Sequence, residues 1–449
     1  MKILIGGEDD IAFRLAEALM ADHEVSLVCP EEAKNSKADR LDVELIYGDV
    51  TTAESLQRAN VARAELFIAC SPEDERNLVA CVTAKRLGAR RTTCFLFRRG
   101  ARTSEKDISA LGASLGIDSL VLPAQRLARE ILRIVAVPGA LEVEAFEGGR
   151  VRLVRRAVED GAFITSGPLK DIGVPKGVVL VMARRGEETF IPSGRTHFLA
   201  GDQITAMGTL AGINRLLHRY LKTGASSRQS RRATVVGAGV VGYSVAKGLE
   251  EAGWEVKVID SDRKRCEEVA AQLKCMVLHG DGTDLDLLEE EHIAETSVLV
   301  AVTSNDEKNL LISLIAKQHL GVPRIVTRAD NPVNERLFEK VGIDVVRSAR
   351  GAAINSVVRN VAAAHTDLIA ELEHGDVVVL RLEVPAHREP KPLSEMHAPV
   401  FAIVGSILRD GQVIIPQGDD EIRGGDRLLV FCSREDEDNA RRFFQRFEL

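Results

Sequence analysis

The residues best suited to chemistry are the glycines of Gly237-Ala238-Gly239-Val240-Val241-Gly242 and a carboxylate, Asp260, eighteen residues after the last of them. An apolar run, Thr234-Val235-Val236, enters the loop and a helix-like stretch leaves it, which is the context a dinucleotide fingerprint requires. There Gly237 permits a tight turn, Gly239 lets backbone approach a pyrophosphate at the helix N-terminus, and Gly242 allows close helix-to-strand packing. Asp260 stands where a carboxylate accepts hydrogen bonds from a ribose and favours a free 2′-hydroxyl, hence NAD over NADP. Asp260 also suits a plain strand end that caps the next helix.

These residues make a site only if the chain brings them to one edge. In the second half, apolar segments at Thr234–Val236, Glu255–Ile259, Cys275–His279, Ser297–Thr303, Arg324–Thr327 and Val345–Val346 alternate with stretches of helical periodicity. That alternation predicts a parallel, doubly wound Rossmann-like sheet, an α/β fold. The glycine loop follows strand one, Asp260 ends strand two, Gly280-Asp281 ends strand three and Thr303-Ser304-Asn305 ends strand four. All four clusters are therefore expected at the carboxyl edge, where such sheets bind ligands.

The first half repeats the second. Gly7 aligns with Gly237, Glu24-Val25 with Glu255-Val256, and Gly48-Asp49 with Gly280-Asp281. Ser71-Pro72-Glu73-Asp74-Glu75-Arg76-Asn77-Leu78 lies against Thr303-Ser304-Asn305-Asp306-Glu307-Lys308-Asn309-Leu310 at the same separation. The match continues into a second module, where Ile191-Pro192 and Gly201-Asp202 fall against Ile415-Pro416 and Gly425-Asp426. Each half is one two-module unit.

The first copy departs from the second at the chemistry. Glu8, Asp9 and Asp10 occupy the positions of Ala238, Gly239 and Val240, and Cys29 replaces Asp260. Three carboxylates beside the space of a pyrophosphate repel an anion, and a thiol offers no charged acceptor pair to a ribose. The first site is expected to be degenerate.

Length allows roughly three or four domains of ordinary size. We place their bounds at 1–125 and 126–222, a polar linker at 223–232, then 233–350 and 351–449. A net charge of −8 argues against nucleic acid as a partner, because phosphate contacts need a basic surface. No run approaches the ~20 apolar residues of a membrane helix, and Met1-Lys2-Ile3-Leu4-Ile5 reads as a strand rather than a signal peptide, so a soluble, cytoplasmic chain is expected. Seven cysteines without a C-x-x-C pair indicate neither a disulfide framework nor a zinc site, and read as small buried hydrophobes.

The second module of each half reads as short alternating strands, in the last copy Val377–Val384, Val400–Leu408 and Arg427–Phe431. It is a small α+β domain without nucleophile or glycine loop. Pro123–Ala136 and Ala353–His365 read as helices joining the modules. Arg228, Arg231 and Arg232 fall in the linker.

Together the Gly237–Gly242 loop, the turn Gly280-Asp281-Gly282-Thr283-Asp284 and the segment Thr303–Asn309 resemble the RCK/KTN domain family, which regulates potassium channels and transporters. Two such domains, each followed by a small α+β module, are similar over nearly the whole chain to TrkA-type peripheral subunits of bacterial Trk potassium-uptake systems. The resemblance implies a homo-oligomeric ring on the inner face of the plasma membrane, under an integral-membrane potassium transporter subunit (TrkH/TrkG-like). It implies binding of NAD or NADH, or of ATP or ADP. By position, Gly237 to Val241 would line the pyrophosphate, Asp260 the adenosine ribose, Asp281 the adenine region, and Asn305 with Asp306 the distal ribose or phosphate. Arg328, ending strand five, would meet a phosphate. Plainer roles exist for several of these: turn residues for Asp281 and Asp284, a surface ion pair for Arg328, helix caps for Thr303, Ser304 and Asn305.

The competing class is an NAD-dependent oxidoreductase, since a Rossmann sheet serves sensors and enzymes alike. Hydride transfer to a carbonyl calls for a positioned His, Lys or Tyr, and Tyr47, Tyr220 and Tyr243 form no recognisable arrangement. Regulation is the expected function.

Overall fold

Six short apolar strands in each half assemble into a parallel sheet of order 3-2-1-4-5-6, counted along each sheet's own chain. In the computed structural model, which describes all residues except 21–22, 32–40, 98–104, 147–148, 187, 222–230, 366–367, 373–376, 397–401 and 447–449, the first sheet runs from Lys2–Gly6 to Ser119–Val121 and the second from Arg232–Val236 to Val345–Arg347. The central strands Leu66–Ala69 and Val298–Ala301 are buried at every residue. Covered on both faces by helices, they need unbroken apolar runs rather than alternation. Strand one sits between strands two and four, with Val236 opposite Ile259 on one side and Ala301 on the other. The order reverses there, which opens a crevice at the carboxyl edge.

The fourth strand of the second sheet is shorter than the apolar run suggests, Val298–Ala301 against Ser297–Thr303. Thr303 leaves the ladder because its N–H and hydroxyl both turn to Asn309 Oδ1, at 2.9 and 2.6 Å. Arg232, assigned above to the linker, instead opens a strand and pairs with Glu255 and Glu295. Arg231 donates to Ala252 O. The rest of the expected linker, Arg228 included, lies outside the described residues.

The second modules are five-stranded antiparallel sheets, and both have the order 4-3-5-2-1 when strands are counted within each sheet and read from the matching edge. The late Gly-Asp turn has the same work in each. Asp202 takes a two-pronged pair from Arg185 at 2.8 and 2.7 Å, and Asp426 takes one from Arg409 at the same distances. Both carboxylates are buried and each also caps its own turn, from Leu199 N–H and from Arg423 N–H. Such forked, charge-assisted bonds fix geometry as well as energy.

Like modules gather across the halves. Met1–Leu132 and Ser230–Val358 form one compact unit, and Arg133–Gln229 and Arg359–Leu449 another. Two of the three crossings between the units fall inside the joining helices, Pro123–Ala136 and Ala349–His365. In the first unit the two Rossmann domains meet through a largely buried Arg347–Glu130 pair at 2.8 Å, and Leu132 packs close to Gly248. In the second, Phe146, Met182 and Met207 share one core with Val379, Leu429 and Phe431. No helix among the described residues is long and apolar enough to cross a membrane. Six of the seven cysteines are buried, and Cys275 is partly exposed.

Candidate nucleotide-binding site

The three glycines of the loop are required for different reasons. Gly237 has φ +108°, and a Cβ there would sit 2.9 Å from Thr303 N. At Gly242 a Cβ would lie 1.7 Å from Gly237 O, so that the helix rests directly on the turn. Gly239 differs: its φ of −71° and ψ of −169° are open to any residue, and a Cβ would meet no protein atom within 4 Å. Nothing within the protein demands glycine at 239, so the absent side chain leaves room for something else. Gly239 caps the helix Val240–Glu251 with no side-chain hydrogen bond. The helix therefore presents its first N–H groups and positive dipole end to that space.

Asp260 closes one side. Its Oδ2 accepts from Ala238 N–H at 2.6 Å and its Oδ1 from Asp262 N–H at 2.8 Å, which ties the end of strand two to the glycine loop. The carboxylate is 8% exposed, with Arg265 3.9 Å away. Asp281, ending strand three, accepts from Thr283 N–H and hydroxyl at 3.0 and 2.9 Å and pairs with Lys308 at 2.9 Å. The Thr283 N–H, then Lys308 and the Thr283 hydroxyl, hold its pKa down at about 2.

On the far side of strand one, Asn309 ties strands four and five together. Besides accepting from Thr303, it donates to Thr303 O and Arg328 O at 3.1 and 3.0 Å. Asn305 caps the helix Asp306–Leu314 through Lys308 N–H at 2.7 Å. Arg328 lies alongside Asp330 in a two-pronged pair.

These residues surround one cleft of ≈ 590 Å³, within the usual range for small-molecule sites of about 300–1,000 Å³. Of the residues singled out from sequence, Gly237, Ala238, Gly239, Val240, Val241, Asp260, Gly280, Asp281, Thr303, Asn305 and Arg328 line it. Gly242 lies behind the loop. Asp306 is outside the lining, because its carboxylate accepts from Asp330 N–H, Asn331 N–H and the Asn334 side chain, each at 3.0 Å. It shapes the loop after strand five. Arg265 and Lys308, neither assigned a site role from sequence, also line the cleft, and each is a basic residue in the first turn of the helix that follows a strand-end cluster. Phe97 and Ala124, from the first half, line it too, and no local pattern marks them.

At the equivalent place in the first half the chain supplies its own helix cap. Asp9 has the same extended backbone as Gly239, and its Oδ1 accepts from Ile11 N–H and Ala12 N–H at 3.0 and 3.4 Å. The helix Asp10–Leu19 thus receives its anion from within. Burial raises the pKa of both Glu8 and Asp9, and Cys29 is buried where Asp260 stands in the other half.

The model of the TrkA-N domain matches residues 3–123 and 233–349, and that of the TrkA-C domain matches 146–220 and 390–445. The chain belongs to the TrkA family. A Trk system potassium uptake protein TrkA homolog of Archaeoglobus fulgidus is 31% identical over 446 residues, 99% of this chain and 100% of the relative. The TrkA of Haemophilus influenzae is 28% identical over 446 residues, 96% of each. Among solved structures, the GsuK channel bound to NAD aligns with a TM-score of 0.61 at 19% identity, covering 99% of this chain and 78% of that one. The GsuK RCK domain gives 0.61 at 20%, covering 98% and 93%. At these identities the structural likeness is one of fold: two Rossmann-type parallel sheets with antiparallel companions.

Proposed function

We propose that this TrkA-type chain is a cytoplasmic regulatory subunit that binds NAD(H) or an adenine nucleotide in its second half and thereby gates a membrane potassium-uptake transporter. The observation that carries the proposal is Gly239, a glycine with no internal reason to be one, at an uncapped helix N-terminus beside a ribose-compatible carboxylate. A bound nucleotide fits this donor set: N–H groups of the loop and helix toward phosphate, and the free lone pairs of Asp260 toward ribose hydroxyls. The names of the relatives, Trk system potassium uptake proteins, supply the transporter as partner. The GsuK channel bound to NAD supports NAD as one ligand, and assembly of several copies into a ring is part of the proposal.

A regulatory rather than catalytic site is supported by its side chains. Among the described cleft residues, those with the proton chemistry of His, Lys or Tyr are Tyr243 and Lys308. Tyr243 donates to Gln272 at 2.8 Å and Lys308 is paired with Asp281. A ligand shifts a conformational equilibrium only by its differential affinity for two states, and the cleft's walls supply that difference if the domains move.

The test is genetic and biochemical. Cells lacking the gene should grow poorly at low external potassium, and a Gly239→Asp copy should join the transporter without restoring nucleotide-dependent uptake. Uptake restored with an unchanged nucleotide response would overturn the proposal, and turnover of NADH with a carbonyl metabolite would favour the oxidoreductase.

A further inference from the structure

The cleft extends past what one nucleotide needs. Its lining runs from Gly280-Asp281 on strand three, through Asp260 on strand two and the loop on strand one, to Thr303 on strand four and Arg328 on strand five. Five neighbouring strands at about 4.8 Å spacing span roughly 19 Å. A mononucleotide held by its ribose at Asp260 and its phosphates at the loop leaves the strand-four and strand-five end free.

The other half contributes to this cleft as well. Cross-half contacts include Arg347, at the end of strand six, and Gly248, on the helix that packs against strands one and two, and from the first half Phe97 and Ala124 line the cleft. Phe97 is held for the task. Its N–H is bound at 2.6 Å to Asp74, a carboxylate with no exposure, and its ring lies 6.1 Å from that of the fully buried Phe95. The two halves treat each other alike: Arg350, in the first turn of the second joining helix as Ala124 is in the first, is among the charges acting on Asp9.

We propose that Phe97 of the first half is a binding residue of the second half's site, where its ring stacks on the second base of a dinucleotide. The inference rests on the nucleotide reading above and narrows it: the site selects a dinucleotide over a mononucleotide, and the first half takes part in binding. Stacking on an aromatic ring is worth about 1–3 kcal/mol per base, roughly five- to a hundredfold in affinity.

The test is calorimetric titration of the full chain with NADH, NAD, ADP and AMP, for the wild type and the Phe97→Leu, Phe97→Trp and Gly239→Asp variants. Phe97→Leu should weaken NADH at least about tenfold and leave AMP and ADP within about twofold, with Phe97→Trp restoring NADH. An unchanged NADH affinity in Phe97→Leu, or equal losses for NADH and AMP, would overturn the assignment. Wild-type protein that binds none of the four, or Gly239→Asp that binds all four as before, would instead overturn the nucleotide site itself.

Discussion

Asp49 and Asp281 stand at the same place in the two Rossmann sheets, and each accepts from the N–H and hydroxyl of a threonine two residues on and pairs with a basic residue of the helix after strand four, Arg76 or Lys308. Asn77 and Asn309 bridge strands four and five in the same way, each donating to two strand-end carbonyls. Around these shared parts the glycine loops have gone separate ways. In the second half the helix N-terminus faces an open cradle. In the first it is closed by Asp9. The frame shared by the two edges is thus kept by bonds that hold the sheet edge together, while in the proposed function binding turns on one backbone position, Gly239, and one strand-end carboxylate, Asp260.

The largest way to break this contrast is to copy the first loop into the second. Gly239→Asp places a carboxylate against the phosphates, and like charges in contact cost several kcal/mol, so affinity for NADH or ADP should fall by at least about a hundredfold. Because Asp9 occupies the same extended conformation and caps its helix, the variant should melt no lower than wild type and gain a few tenths of a kcal/mol. Calorimetry with a thermal melt checks both.

A smaller loss is expected at Asp260. Asp260→Asn replaces one acceptor oxygen of a nearly buried carboxylate by a donor, beside Ala238 N–H. Hydrogen bonds to charged groups are worth about 1.5–3 kcal/mol, so binding should weaken some ten- to hundredfold, while the same titration of Cys29→Ser shows no change.

In the first half, effects should appear in stability alone. Asp9→Ala removes the cap of the Asp10–Leu19 helix and should cost about 1 kcal/mol in a denaturant titration, with nucleotide affinity unaltered. Glu8 sharpens the point through pH. Burial raises its folded pKa above the ordinary 4.5, so its ionisation opposes folding: the penalty is absent below 4.5 and grows as pH rises through the folded value. Glu8→Gln should therefore be slightly more stable than wild type at pH 7 and equal to it near pH 3. Asp281, held at about 2, has the opposite sign, stabilising above its unfolded value of 3.8 and losing that contribution as pH falls toward 2.

Much of this was legible in the chain. Parallel strands buried on both faces announce themselves as apolar runs, so the six strands of the second sheet and the joining helix Pro123–Ala136 are found within a few residues of where the pattern puts them. The loop, Asp260, Asp281 and Thr303 converge because strand-end positions in a doubly wound sheet share an edge. Asp306 misleads, since a carboxylate after strand four looks ligand-facing until the backbone N–H groups of Asp330 and Asn331 are seen to claim it. Phe97 and Ala124 carry no signal at all. They reach the cleft only because the Rossmann domains of the two halves pack together, a long-range fact that local spacing does not encode.

The central claim, one working site and one self-capped site, is tested most directly by counting ligand. Equilibrium titration of the full-length protein with NADH, at concentrations far above the dissociation constant, should saturate at one nucleotide per chain and fall to none in Gly239→Asp. Saturation at two per chain, or at one that survives Gly239→Asp, would contradict the account.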